Sequence, residues 1–208
     1  MPFAAERKIS MKKTLSLIAA AASLSIAGCA AYDTDMDGMQ TPSARPDTQV
    51  MVGGAAMLPS RTIVQNASEA SNLTTLVAAV QQAGLVETLS GPGPFTVFAP
   101  TNAAFDKVPA ATRTSLMQPS NRAMLRSVLT YHVVPGTLTA ADLMQRIRAG
   151  GGTATLTTVQ GGQLRLSMMG DRIMINGQGG SMAHVTQGDV RQSNGVVHVI
   201  DGVLTPSM

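Results

Sequence analysis

From Thr62 onward the apolar positions fall into two kinds of spacing. In the front half they recur at three and four residues: Leu73, Leu76, Val77 and Val80, then Met124, Leu125, Val128 and Leu129. That period places each set on one face of a helix. Ser71 or Asn72 stands where the first helix needs a cap, Gly84 where a left-handed residue can end it, and Ser120 just before the second. Leu85 and Leu89 carry the apolar face past Gly84. Thr139 opens a third helix, with Asp142 three residues on as its capping-box partner, and Gly150-Gly151-Gly152 closes it. Between these segments Gly91-Pro92-Gly93-Pro94 is a turn. Phe95-Thr96-Val97-Phe98 and Tyr131-His132-Val133-Val134 read as short buried strands. Pro100 and Pro135-Gly136 end them, and Thr101 can cap a short helix through Phe105.

In the back half the period changes to two. Leu164, Leu166 and Met168 alternate with Gln163, Arg165 and Ser167, and Ile173 and Ile175 repeat the pattern after β-branched Thr153 to Val159. Gly161-Gly162, Gly170-Asp171 and Asn176-Gly177 read as the turns between them. His184 to Val190 and Val196 to Leu204 are joined by Ser193-Asn194-Gly195, a hairpin signal. Helices at the front and strands at the back predict an α+β domain with mainly antiparallel strands.

The first 59 residues follow neither period. Lys12 and Lys13 precede a thirteen-residue apolar run, Leu15 to Ala27, and then Gly28 and the only cysteine, Cys29. A charged head, a short apolar core and small residues describe a secretory signal. A spanning helix needs about 20 residues, so the run is too short for one. Leu24-Ser25-Ile26-Ala27-Gly28-Cys29 resembles a bacterial lipobox, which makes Cys29 the expected lipid attachment point. Residues 1–28 are then the signal peptide, with 1–10 an over-called start ahead of Met11. Residues 29–59 are the expected lipidated N-terminus and flexible tether, rich in Pro, Gly and Asp without a period. Lipid would hold the domain to the membrane, and Ala30 in place of an aspartate points to the outer membrane of a Gram-negative cell. The domain would face the periplasm or the cell exterior.

Charge narrows the partners. Four of the 15 basic residues and one of the 12 acidic ones precede Cys29, so the remainder is balanced. No basic stripe is left for a phosphate backbone, and no nucleic-acid partner is expected. Asp33-Thr34-Asp35-Met36-Asp37-Gly38 opens like a calcium loop, but its twelfth position is Ala44, where a bidentate Glu is required. Met36, Met39, Met51 and Met57 offer thioethers without a nearby Cys or His and read as unstructured.

Three segments resemble one family, the fasciclin (FAS1) domains. They are Phe95-Thr96-Val97-Phe98-Ala99-Pro100-Thr101-Asn102-Ala103-Ala104-Phe105, then Leu129-Thr130-Tyr131-His132-Val133-Val134-Pro135-Gly136, then Asn194-Gly195-Val196-Val197-His198-Val199-Ile200-Asp201-Gly202-Val203-Leu204. The resemblance spans 60–206. It implies a single domain made of a β-wedge with a group of helices, and an extracellular adhesion or interaction module. It also implies Tyr131 and His132 as the candidate interaction motif. Read physically, Phe95, Val97, Phe98 and Phe105 fill a core, Thr101 or Asn102 caps a helix, and Pro135-Gly136 fixes a turn. His132 pins a helix–strand junction, His198 is a satisfied core histidine, and Asn194, Gly195 and Asp201 belong to the same structural motifs.

No catalytic residue is expected. The chain has no nucleophile elbow, no zinc-protease helix and no free cysteine once Cys29 is acylated. Asp106, Asp142 and Asp171 stand singly near turns and helix starts, where acids serve as caps. No cofactor and no metal set follows from the spacing. The expected function is a membrane-tethered module making adhesive contact with an unknown protein or polysaccharide at the envelope. The alternative is a small-ligand or metal-handling binding protein, drawing on His132, His184 and His198 with Met168, Met169, Met174 and Met182. A weaker alternative is a structural spacer.

Overall fold

The structure, a computed structural model, describes residues 50–207. Cys29, the expected signal segment and most of the expected tether lie outside those residues. The end of that tether is ordered. Strands β1 (Val50–Val52) and β2 (Ala55–Met57) form an antiparallel hairpin around Gly53-Gly54, both with positive φ. This corrects the expectation of a flexible segment up to residue 59. Val52 and Met57 are both buried in the helical core, and Met57 is packing rather than a free thioether. Too few apolar residues in a row hid the hairpin from the periodicity.

Seven helices are described. The first, α1 (Ile63–Glu69), was not evident in the sequence, because only Ile63 and Asn66 are buried on it. Thr62 caps it in a capping box with Gln65. Then come α2 (Thr74–Ala83) and α3 (Val86–Ser90), separated at Gly84, which is left-handed. The expected cap at Ser71 or Asn72 is not used. The Asn102 side chain reaches across instead, its Oδ1 accepting from the Thr75 amide at 3.0 Å while its Nδ2 donates to the Ser71 carbonyl. Thr101 does cap α4 (Asn102–Asp106), accepting from the Ala104 amide. Next are α5 (Ala110–Leu116), which has no buried residue, and a 3-10 turn at Pro119–Asn121. Helix α6 (Arg122–Tyr131) starts at Asn121 without a side-chain cap, so Ser120 does not cap it. Leu125, Val128 and Leu129 are buried on it, while Met124 is exposed. Helix α7 (Ala140–Ala149) carries the capping box of Thr139 and Asp142.

The main sheet has seven strands. In chain order they are β3 (Phe95–Pro100), β4 (Val133–Pro135), β5 (Thr153–Thr157), β6 (Gln163–Met169), β7 (Arg172–Gly177), β8 (Met182–Gln192) and β9 (Gly195–Ile200). In space they run β4-β3-β9-β8-β7-β6-β5. All pairs are antiparallel except β3 with β9, which is parallel. Tyr131 and His132 are not strand residues. Tyr131 ends α6 and His132 is its C-cap, so the strand begins only at Val133. Asn176-Gly177 is not a turn but the end of β7, and the chain reverses at 178–180.

The parallel pair explains an unbroken apolar run. Phe95–Pro100 is buried from its second residue on, and Gly195–Ile200 is buried throughout. Strands covered on both faces lose the alternation of half-exposed ones. Val97, Ala99, Val197 and Val199 face a core shared with α1, α2 and α6. Phe98 and Ile200 face a second core formed with α7 and the inner side of β5–β7. Two cores thus share one central strand pair.

Candidate functional site

The polar motif residues converge on the junctions around that pair. His132 is buried where α6 passes into β4. Its Nδ1 donates to the Val128 carbonyl at 2.8 Å, and its Nε2 accepts from the Leu204 amide at 2.9 Å. Both ring nitrogens are occupied, and this pairing assigns the neutral Nδ1–H tautomer. Burial pushes the pKa down to about 4, against the smaller raising effect of the Val128 bond. One ring therefore ties the end of α6 to the C-terminal segment, 72 residues away.

Tyr131 is fully buried beside it. Its hydroxyl donates to the Gln163 carbonyl at 2.6 Å and accepts from the Gln178 amide at 2.8 Å. It fastens the start of β6 and the turn after β7. Neither member of the Tyr-His motif presents its side chain at the surface. The interaction role implied by the resemblance therefore has no exposed side chain at either position.

His198 lies on β9, buried and stacked on Phe98 with ring centroids 5.7 Å apart. Its Nε2 donates to the Leu138 carbonyl at 2.8 Å and its Nδ1 accepts from the Asp189 amide. Burial lowers its pKa, outweighing the raising effects of the Leu138 bond and the Asp189 charge. Asp189 sits in a bulged stretch of β8 at φ +58°. Its Oδ1 accepts from the Ala140 amide at 2.7 Å, at the start of α7. An aspartate tolerates that left-handed geometry better than most residues.

Asn194 is the densest node. Its Nδ2 donates to the Leu89 and Gly91 carbonyls, its Oδ1 accepts from the Ile63 amide, and its own carbonyl accepts from Phe95. One buried side chain thus joins α1, α3, the Gly-Pro turn and β9. The next residue has to be glycine, because a Cβ at Gly195 would lie 2.0 Å from the Phe95 carbonyl oxygen. Pro135 is paired with Phe95, and the amide of Gly136 donates to the Pro94 carbonyl, so these two tie the end of β4 to the start of β3. Phe95 and Phe105 are half-buried against the helical core, and Val97 and Phe98 are fully inside.

His184 differs from the other histidines. It is half-buried on β8, and its Nδ1 lies 3.4 Å from Asp201 Oδ2. Asp201 Oδ1 accepts from the His184 amide at 2.7 Å, and Lys107 lies 3.7 Å from Oδ2. Burial raises the Asp201 carboxyl, but the His184 amide and the Lys107 and His184 charges outweigh it and hold the group low. The three histidines thus bind separate partners and do not converge. Among the described residues, no group of three His, Cys, Asp or Glu could hold a metal ion.

Two apolar voids touch Leu129 and His132, each of about 30 Å³, near the size of one water. They are packing gaps in the core. An open groove of about 500 Å³ runs between the Pro92–Pro94 turn and the β8–β9 turn, with Thr137 and Arg191 at its sides. It mixes polar and apolar surface and lies over the Asn194 node.

A wedge of seven strands with helices packed on its central pair, and motif residues spent on internal junctions, defines a fasciclin-type domain. The fasciclin domain profile matches residues 71–206, and the chain belongs to that family. Protein sll1483 of Synechocystis sp. is 42% identical over 162 residues, covering 78% of this chain and 83% of that protein. Immunogenic protein MPB70 of Mycobacterium bovis is 36% identical over 209 residues, covering 98% and 93%. Cell surface glycolipoprotein MPB83 of the same species is 34% identical over 195 residues, covering 93% and 77%. Among solved structures, a FAS1 domain pair from the insect cell adhesion molecule fasciclin I superposes with a TM-score of 0.63 at 20% identity. It covers 70% of this chain, which spans about half of that two-domain structure.

Proposed function

We propose that this chain is an exported, lipid-anchored fasciclin module that makes adhesive contact with a protein or polysaccharide at a bacterial envelope. The observation that carries the reading is the likeness to a cell surface glycolipoprotein over 93% of the chain, well beyond the domain itself. The lipobox-like ending at Cys29 supports the same anchoring. Among the described residues no helix is long and apolar enough to cross a membrane; attachment is assigned to lipid on Cys29 from the lipobox-like sequence alone. Ala30 favours the outer membrane.

Contact is assigned to the groove between the Pro92–Pro94 turn and the β8–β9 turn, since Tyr131 and His132 are enclosed. Ser193 is exposed at its rim, and Asn194 beneath holds the two turns rigid. A preorganised surface loses little entropy on binding an extended polymer.

Three strains test this: one lacking the protein, one with Cys29→Ser, and one with Ser193→Trp. The first should lose attachment to surfaces and neighbouring cells. Cys29→Ser should move the protein out of the membrane fraction. Ser193→Trp should reduce attachment without changing the melting temperature. Attachment unaltered in the deletion strain would defeat the adhesion reading, and a membrane-bound Cys29→Ser protein would defeat the lipid anchor.

A further inference from the structure

The outer face of the β7–β8 ladder carries chemistry that the adhesion reading does not use. Met174 on β7 is paired directly with His184 on β8, and Asn176 with Met182. Directly paired residues project on the same side of a sheet, and so do residues two apart along a strand. Met174, Met182 and His184 therefore share one face. The burial pattern agrees: Ile175 and Ala183, between them, are buried in the second core, whereas Met182 is 64% exposed. Met174 has His184 as its direct neighbour and Met182 as its diagonal one, within reach for long side chains.

We propose that Met174, Met182 and His184 form a binding site for a soft monovalent metal ion, Cu(I). Three physical arguments select that ion. Thioether sulfur and imidazole nitrogen are soft to intermediate donors that suit Cu(I), whereas calcium and magnesium require oxygen ligands. None of the three donors is an anion that would draw in a dication. Arg172 and Arg165 stand on the same face, two residues from Met174 and opposite Asn176 respectively, and their charges disfavour a dication more than a monocation. The histidine is also oriented. Its Nδ1 faces Asp201, leaving Nε2 as the free donor, the arrangement in which a carboxylate fixes the tautomer of a metal-binding imidazole.

Zinc is the competing ion for histidine, and it prefers thiolates, imidazoles or carboxylates in fours. The Asp201 carboxylate is already occupied by the His184 amide, the His184 ring and Lys107. A single imidazole with two thioethers leaves zinc poorly served. The site stands apart from the groove assigned to adhesion, so either reading can fail without the other.

The test is an anaerobic titration of the full chain with Cu(I) held by bicinchoninate. Cys29→Ser is present in every sample, so that the lone thiol does not compete. One Cu(I) per chain should be withdrawn from the chelator. Met174→Leu with Met182→Leu, and separately His184→Gln, should each weaken binding at least about 10-fold. Met124→Leu, an exposed methionine on α6, should leave it unchanged. X-ray absorption of the loaded protein should show sulfur and nitrogen ligands together. Failure to compete with the chelator, undiminished binding in both groups of variants, or displacement of Cu(I) by equimolar Zn(II) would each overturn the site. The leucine variants keep the volume and apolar character of an outward-facing position, and a melting curve confirms that they are folded.

Discussion

His132 holds its place by being neutral. A proton on Nε2 would abolish the bond from the Leu204 amide and leave a charge in a site from which water is excluded. Its pKa is about 4 in the fold against an ordinary 6.5, so between those values the unfolded chain binds the proton better. Its contribution is therefore fully present above pH 6.5 and is lost as the pH falls toward 4, by about 3 kcal/mol. His198 is shifted in the same direction and adds to the loss. The carboxyls of Asp142 and Asp201 are held low, so their contribution disappears only at still lower pH. Urea unfolding at pH 7 and pH 4.5 should show this drop. His132→Gln should be less stable at pH 7 yet show a smaller difference between the two. Tyr131→Phe removes a hydroxyl with two backbone partners and should cost about 1–3 kcal/mol in the same assay. That histidines and a tyrosine stand in these motifs was plain in the sequence. That His132 and His198 serve the core was legible too, but the groups that hold the motif side chains were not, because those partners lie between 4 and 72 residues away.

Elements were readable where their signals are local. The Thr139–Asp142 capping box, the Thr101 cap and the alternation in β6 involve neighbours only a few residues apart, and each appears in the fold. Elements fixed by distant contacts were not readable. Helix α2 takes its cap from Asn102, 27 residues on. Helix α1 buries too little to show a period, and its first amide is satisfied by Asn194. The β1–β2 hairpin looked like linker because three-residue strands cannot display an alternation. Its packing makes it part of the domain rather than of a tether. Met57→Ala should lower stability by about 2–5 kcal/mol, since the side chain is 3% exposed within the helical core. A flexible tether would give no change in the melting temperature.

At the scale of the molecule, β3 and β9 divide one hydrophobic interior into two, and Phe98 sits on the dividing strand. Phe98→Ala opens the second core and removes the ring stacked on His198. It should cost about 3–5 kcal/mol, read as a lowered urea midpoint. The amino-acid sequence by itself determined the class: helical spacing ahead of strand spacing, and three ordered motifs. These are properties of residues close along the chain, and local chemistry is enough to read them. Only the tertiary structure decided that β3 and β9 run parallel and which distant groups hold Tyr131 and His132. It also decided that Met174 stands opposite His184. Register and burial come from which distant segments share a core, and no short-range pattern encodes that choice.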